Sequence, residues 1–369
     1  MSALRQHFAL TLMVNHACNL RCSYCYTGAK FSSPMPLTIG FAGINRAFQS
    51  MAPGGRLDVG FFGGEPLLEA KRVIKWMTYA REGARDPGKH VTFNLTTNGT
   101  LTNGEAWQIM AADDVALAVS FDGTPETHDH HRRDAHGKAT AALVEGTIRR
   151  LVEYGKEFEV VVVVRPDTVA SVPAGLEYLY QIGVRQVTLS LDLWTVWQVE
   201  HGVALEKVIH RAAEVWAKHL PELSVNWFDA KAGALGGVPL TEETSRCGFG
   251  TGEIAIAPSG RLYPCERVIG EDRPNHPLRL PGHALEGADF LNSDVPLFAR
   301  CAPCSRCALA PACETTCRCS NFIRTGDVNR PDGLLCLLNK ATARSVAEVL
   351  GNFTSRFNSS PTPKERCYA

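Results

Sequence analysis

From residue 8 to about residue 220, short runs rich in β-branched and aromatic residues alternate with amphipathic stretches of helical length. The runs that read as strands are Phe8–Val14, Leu57–Phe62, Val91–Thr97, Val115–Phe121, Phe158–Val164 and Gln186–Leu193. Between and after them, Thr38–Ser50, Leu68–Arg85, Ala139–Tyr154, Ser171–Ile182 and Leu205–Leu220 carry apolar residues at helical spacing. Six such units in sequence predict an α/β fold with a parallel sheet, as a partial barrel or an open sheet, and a site at the carboxyl ends of the strands. VALAVSF and EVVVVV are apolar on nearly every residue, which predicts a sheet covered on both faces.

After residue 220 the texture changes. Glycine, proline and cysteine become dense, and helical period returns only at Leu334–Leu350. Such a segment cannot build a core from apolar side chains alone, and metal clusters would substitute for one. The expected organisation is therefore residues 1–220 as one domain, 221–357 as a cysteine-rich second domain and 358–369 as a flexible tail.

Composition narrows the chemistry. Lys+Arg 38 against Asp+Glu 38 leaves zero formal charge, so no global field draws the chain to nucleic acid or an anionic membrane. No apolar run reaches the ~18 residues of a membrane span, and the N-terminus does not read as a signal peptide. A cytoplasmic protein is expected, and a monomer. Of 13 cysteines, three lie within Cys18–Cys25 and ten between Cys247 and Cys367. An odd number of thiols in an unexported chain points to metal ligation rather than disulfides.

Cys18, Cys22 and Cys25 form C-x3-C-x2-C directly after the first strand. Three thiolates on one tight loop suit a cubane iron–sulfur cluster with its fourth iron left open. A zinc knuckle with His16 as fourth ligand is the alternative. Further short motifs follow successive strands: Gly63-Gly64-Glu65-Pro66, then Thr96-Thr97-Asn98-Gly99, then Ser120-Phe121-Asp122-Gly123, with Arg132 shortly after.

In these motifs, and in Tyr24 before the third cysteine, the chain resembles the radical S-adenosylmethionine (SAM) superfamily. The resemblance implies a partial (β/α)6 barrel whose 4Fe-4S cluster, held by Cys18, Cys22 and Cys25, binds SAM and cleaves it reductively to a 5′-deoxyadenosyl radical. It implies SAM contacts at Tyr24, Gly63, Gly64, Glu65, Asn98, Ser120, Asp122 and Arg132. Chemically, Glu65 suits the ammonium of SAM, Arg132 its carboxylate, and glycine a close backbone approach.

From Cys247 the spacing runs Cys247-x12-Gly260-x4-Cys265, then Cys304-x2-Cys307-x5-Cys313-x3-Cys317, then Cys336. This resembles the SPASM extension of radical SAM enzymes that modify peptides and proteins. The resemblance implies two auxiliary Fe-S clusters, the nearer on Cys247, Cys265 and Cys317 and the farther on Cys304, Cys307, Cys313 and Cys336. Some relatives have a further cysteine just before the position of Cys247, where this chain reads PLTEETSR. The fourth ligand of the nearer cluster is thus open among substrate, a non-cysteine group, and Cys301, Cys319 or Cys367. Glu266 follows Cys265, where the sulfatase-maturing relatives carry an aspartate base; here the carboxylate is kept on a longer arm.

The expected function is a peptide maturase that abstracts a hydrogen atom from a side chain of a ribosomally made precursor peptide and forms a C–C cyclophane or thioether cross-link. The alternatives are an anaerobic sulfatase-maturing enzyme that makes formylglycine from Cys or Ser, and a zinc-stabilised scaffold. The expected partners are the peptide and a flavodoxin or ferredoxin reductant. Because the chain opens almost at its first strand, leader binding is expected to use the barrel, the C-terminal region or a separate protein. His128, His130 and His131 read as loop residues, and Trp194, Trp197 and Trp227 as packing or a peptide-binding mouth.

Overall fold

The computed structural model describes residues 4–85, 88–236, 248–291, 302–310, 313 and 317–351. The strands are β1 (Arg5–Met13), β2 (Met51–Phe62), β3 (His90–Thr97), β4 (Val115–Ser120), β5 (Phe158–Val164), β6 (Gln186–Leu191), β7 (Ser224–Val225), β8 (Glu253–Ile256), β9 (Arg261–Tyr263) and β10 (Leu280–His283). The helices are α1 (Leu37–Gln49), α2 (Ala70–Gly83), α3 (Gly104–Met110), α4 (Pro125–His131), α5 (Ala141–Tyr154), α6 (Val172–Gln181), α7 (Val199–Lys218), α8 (Asn226–Leu235), α9 (Ala302–Ser305), α10 (Arg318–Thr325) and α11 (Gly333–Val349). All six expected strands, the five expected helices of the first 220 residues and the helical stretch expected at Leu334–Leu350 are present with shifted ends. Helices α3, α4, α8, α9 and α10 are additions, too short or too weakly periodic to stand out in the sequence.

The described chain divides into two compact units. In the first, made of residues 1–120, 129–158 and 248–296, the strand order is β10-β9-β8-β1-β2-β3-β4. Strands β1 to β4 pair in parallel, with Leu10 opposite Val59 and Val59 opposite Phe93. Strand β8 adds in parallel to β1, and β9 and β10 continue antiparallel. The region after residue 220 therefore contributes strands to the first unit, which its glycine-rich sequence did not announce. Small residues let the helices seat: a Cβ on Gly40 of α1 would stand 2.2 Å from the Trp76 indole of α2, so only glycine allows that approach.

In the second unit, β5, β6 and β7 pair in parallel, and α7 packs against α6 and α11. Strand β5 alternates: Phe158, Val160, Val162 and Val164 are buried, whereas Glu159, Val161 and Val163 are half-buried. The expectation of two fully covered faces fails here, because one face of the strand is only partly packed. The unbroken run Val160–Val164 hid this alternation, since valine suits either face of a pleated strand.

Candidate functional site

The cysteine loop leaves the end of β1 through Asn15, whose side chain fixes its path. The Asn15 Oδ1 accepts from the amides of Ala17 (3.0 Å) and Ser33 (2.9 Å), and Nδ2 donates to Glu69 Oε1 at 2.8 Å. The Gly63-Gly64-Glu65 segment leaves β2 and lies directly against this loop, with Gly64 N donating to Asn15 O and Glu65 N to Ala17 O, both at 2.9 Å. A Cβ on Gly63 would fall 2.4 Å from Asn15 O, and one on Gly64 2.1 Å from Ala17 O. These two glycines thus serve the approach of backbone to backbone, a role beyond the ligand approach read from the motif.

Glu65 is 1% exposed and joins the ends of β2 and β3. Its Oε1 accepts from Leu67 N and Thr97 Oγ1, both at 2.9 Å, and its Oε2 from Asn98 N at 2.7 Å. Burial lifts its pKa, while these donors and the charge of Arg132 hold it back. Asn98 extends the connection to the first cysteine: its Nδ2 lies 3.7 Å from Cys18 Sγ and donates to Asn19 Oδ1 at 2.9 Å. Arg132 is buried and donates from Nη1 to the Tyr24 hydroxyl at 2.7 Å. The Tyr24 ring meets that of His131 edge-on, and His131 Nδ1 lies 2.7 Å from Ser23 Oγ. Gly64, Glu65 and Asn98 are therefore joined to the Cys18 end of the loop in one hydrogen-bonded framework in the first unit, and Arg132 bonds separately to Tyr24, which stands between Cys22 and Cys25 in the chain. Ser120 closes β4 in the same unit and is half-buried.

Asp122 belongs to the second unit. It is buried and accepts from Val163 N at 3.1 Å, beside a small cavity lined in part by Thr127, Thr168 and Ser171. His128 is fully buried and packs on Phe121. Trp227 is buried, Trp197 donates to Asp192 O at 2.9 Å, and Trp194 is exposed.

The His16 ring stacks on Phe31 at 4.4 Å. Burial pushes the Cys18 thiol up to about 11, so a metal that binds the thiolate also offsets the cost of burying it. Cys25 moves the opposite way: burial alone would raise it, but the Lys30 ammonium 2.9 Å from Sγ brings it below the usual thiol range.

Cys265 is buried at the end of the β8–β9 hairpin region. Its Sγ and carboxylate oxygens of Glu253 and Glu266 all lie within 4.8 Å of one another. Glu253 had no signal in the sequence, being one polar residue at the start of a strand. In the second unit Cys304 and Cys307 flank a turn closed by Cys307 N to Cys304 O, and the Cys317 and Cys319 thiols are 3.4 Å apart. Cys313 and Cys336 are half-buried in the same unit. Cys247, Cys301, Cys367, the PLTEETSR stretch and the expected tail lie outside the described residues.

The sequence pattern of the radical SAM superfamily matches residues 12–189, which span the cysteine loop and every motif of this framework. The chain contains a radical SAM domain. It is an enzyme, and the domain implies SAM and a 4Fe-4S cluster. Among curated proteins it is similar to a cysteine-type anaerobic sulfatase-maturating enzyme of Clostridium novyi, with 24% identity over 88% of this chain and 91% of that one. Among solved structures it resembles native anSMEcpe with bound AdoMet and Kp18Cys peptide, with a TM-score of 0.76, 20% identity and coverage of 94% and 99%. Streptococcus suis SuiB bound to precursor peptide SuiA gives a TM-score of 0.62 at 12% identity, covering 89% of this chain and 76% of that one. At these identities the structural likenesses establish the fold, which is the mixed α/β fold expected. No described helix is long and apolar enough to cross a membrane.

Proposed function

We propose that the protein is a radical SAM maturase that oxidises a side chain within a peptide or protein, and that formylglycine formation from Cys or Ser is its best-supported activity. The observation that carries this is similarity to a sulfatase-maturating enzyme over 88% of this chain and 91% of that one. The reading reverses the order of the two functions expected from the sequence.

Cys18, Cys22 and Cys25 would hold the SAM cluster. When bound, cluster and SAM supply the radical that removes a hydrogen atom from the substrate carbon. Glu65, Asn98 and Arg132 fix the rim of the site through bonds to its loops, with Tyr24, Ser120 and Asp122 as further SAM contacts. Cys247, Cys265 and Cys317, and Cys304, Cys307, Cys313 and Cys336, would hold two auxiliary clusters. Glu266 takes the proton that leaves as the substrate is oxidised, with a carboxylate oxygen of Glu253 and the Cys265 Sγ within 4.8 Å of its own. We place residues 1–220 in the radical SAM domain, 221–357 in the auxiliary-cluster domain and 358–369 in the tail. A low-potential flavodoxin or ferredoxin is the proposed reductant of this cytoplasmic, monomeric enzyme.

One observation favours a second reading, cross-linking of a precursor peptide: Glu266 stands where the sulfatase-maturing pattern has aspartate. Incubation of the reconstituted enzyme with a CxPxR peptide separates the two. Formylglycine appears as an aldehyde trapped by hydrazide. An unmodified peptide in a reaction that still consumes SAM would reject the first reading.

A further inference from the structure

Lys30 lies five residues beyond the last cysteine of the loop and belongs to none of the recognised motifs. Its ammonium is nevertheless the closest polar neighbour recorded for Cys25, with Nζ 2.9 Å from Sγ. A second donor contact ties it to Thr27 Oγ1, which itself lies 3.3 Å from the same sulfur. Thr27 is 4% exposed, and Lys30 is half-buried. Among the described residues no carboxylate pairs with Lys30, so its charge is not neutralised by an ion pair and is directed at the thiolate.

The backbone explains why the side chain returns over the loop. Gly28 adopts φ +74°, and a Cβ there would stand 2.6 Å from Glu271 Cγ. Glu271 Oε1 accepts from Ala29 N at 3.0 Å, and its other oxygen pairs with Arg273 at 2.8 Å. The turn at residues 28–30 is thus closed by a residue of the distant 248–296 segment of the same unit, and Lys30 is delivered to Cys25 by that closure.

We propose that Lys30 is a positioning residue for the cluster, donating a charge-assisted hydrogen bond to the Cys25 thiolate and thereby raising the cluster's reduction potential. A cation beside a cluster stabilises its reduced, more negative state more than its oxidised state, and hydrogen bonds to ligand sulfur act in the same direction. A lysine does this as a compact point charge whose donors can reorient toward sulfur. The consequence is a cluster that a physiological donor reduces more readily than the bare cysteine loop would allow. The inference rests on Cys18, Cys22 and Cys25 being the cluster ligands.

The test uses the full chain, reconstituted anaerobically, as wild type, Lys30→Met, Lys30→Gln and Lys30→Arg. Iron per chain is measured first, and the midpoint potential of the SAM cluster is then followed by EPR during a redox titration of the otherwise unaltered chain, its signal identified as the one that changes on adding SAM. The expected result is a shift to more negative potential in Lys30→Met, a smaller one in Lys30→Gln, which keeps an N–H donor, and recovery in Lys30→Arg. Equal potentials in all four proteins would overturn the proposal. Should Lys30→Met lose its iron, the Lys30→Gln comparison decides by the same criterion. A wild-type sample without any cluster would instead overturn the ligand assignment beneath it.

Discussion

Replacing Gly64 with alanine strikes the contact on which the framework depends. The added Cβ would stand 2.1 Å from Ala17 O, 2.6 Å from Ala17 C and 2.7 Å from His16 O. An acceptable carbon–oxygen contact is about 3.3 Å, so the two backbones must part by roughly 1.2 Å. That separation takes the 2.9 Å bonds from Gly64 N to Asn15 O and from Glu65 N to Ala17 O beyond hydrogen-bond range. Two such bonds contribute about 1 kcal/mol each. Overpacking that neighbouring backbone cannot absorb adds ~1–3 kcal/mol. The sum, about 3–5 kcal/mol, is a large share of the ~5–15 kcal/mol that holds a typical domain. The cysteine loop moves with the separation, so iron retention falls as well. Urea denaturation of the apo-protein gives the stability change, and iron per chain after reconstitution gives the local one. Gly146→Ala on α5, where a Cβ meets nothing within 4 Å, is the control and should stabilise by about 0.5–1 kcal/mol. If Gly64→Ala stays within about 1 kcal/mol of wild type and binds as much iron, the close-approach argument is wrong.

Three further outcomes follow from named contacts. Glu65→Gln turns an amide N–H toward one of the three donors that now meet a carboxylate, costing about 1–3 kcal/mol and slowing 5′-deoxyadenosine formation at least tenfold, measured by chromatography. Asp58 ties β1 and β3 to β2: burial would raise its pKa, but donors from Thr92, His7 and Arg56 bring it below the usual range. Its contribution to stability is therefore present above the ordinary carboxylate pKa and is lost as pH falls through the folded value, so Asp58→Asn should be destabilised at pH 7 and approach wild type in acid, read by denaturation across pH. Glu266→Gln should leave SAM cleavage within about threefold of wild type while peptide product falls more than tenfold, whereas equal losses in both would remove its role as base.

The strands and long helices were legible because each carries a strong local pattern, and the cysteine triplet because its spacing is rare. What escaped depends on contacts far apart in the chain. The approach of residues 63–65 to residues 15–17 is written only as two glycines, which a turn would also use. Glu253 reaches Cys265 because β8 and β9 pair, and Lys30 reaches Cys25 because Glu271 closes a turn some 240 residues away in sequence. Strands β8 to β10 were missed since short strands between glycines and prolines lack a period long enough to read. The half-open face of β5 was hidden because an unbroken valine run gives both faces the same residue.

The central claim is that Cys18, Cys22 and Cys25 carry a cluster at which SAM is cleaved. It is tested most directly by giving the anaerobically reconstituted wild-type chain SAM and dithionite and quantifying 5′-deoxyadenosine against a Cys18→Ala, Cys22→Ala, Cys25→Ala triple variant. The account predicts catalytic formation by the wild type and none by the variant. No 5′-deoxyadenosine from an iron-loaded wild type, or equal amounts from both, would contradict it.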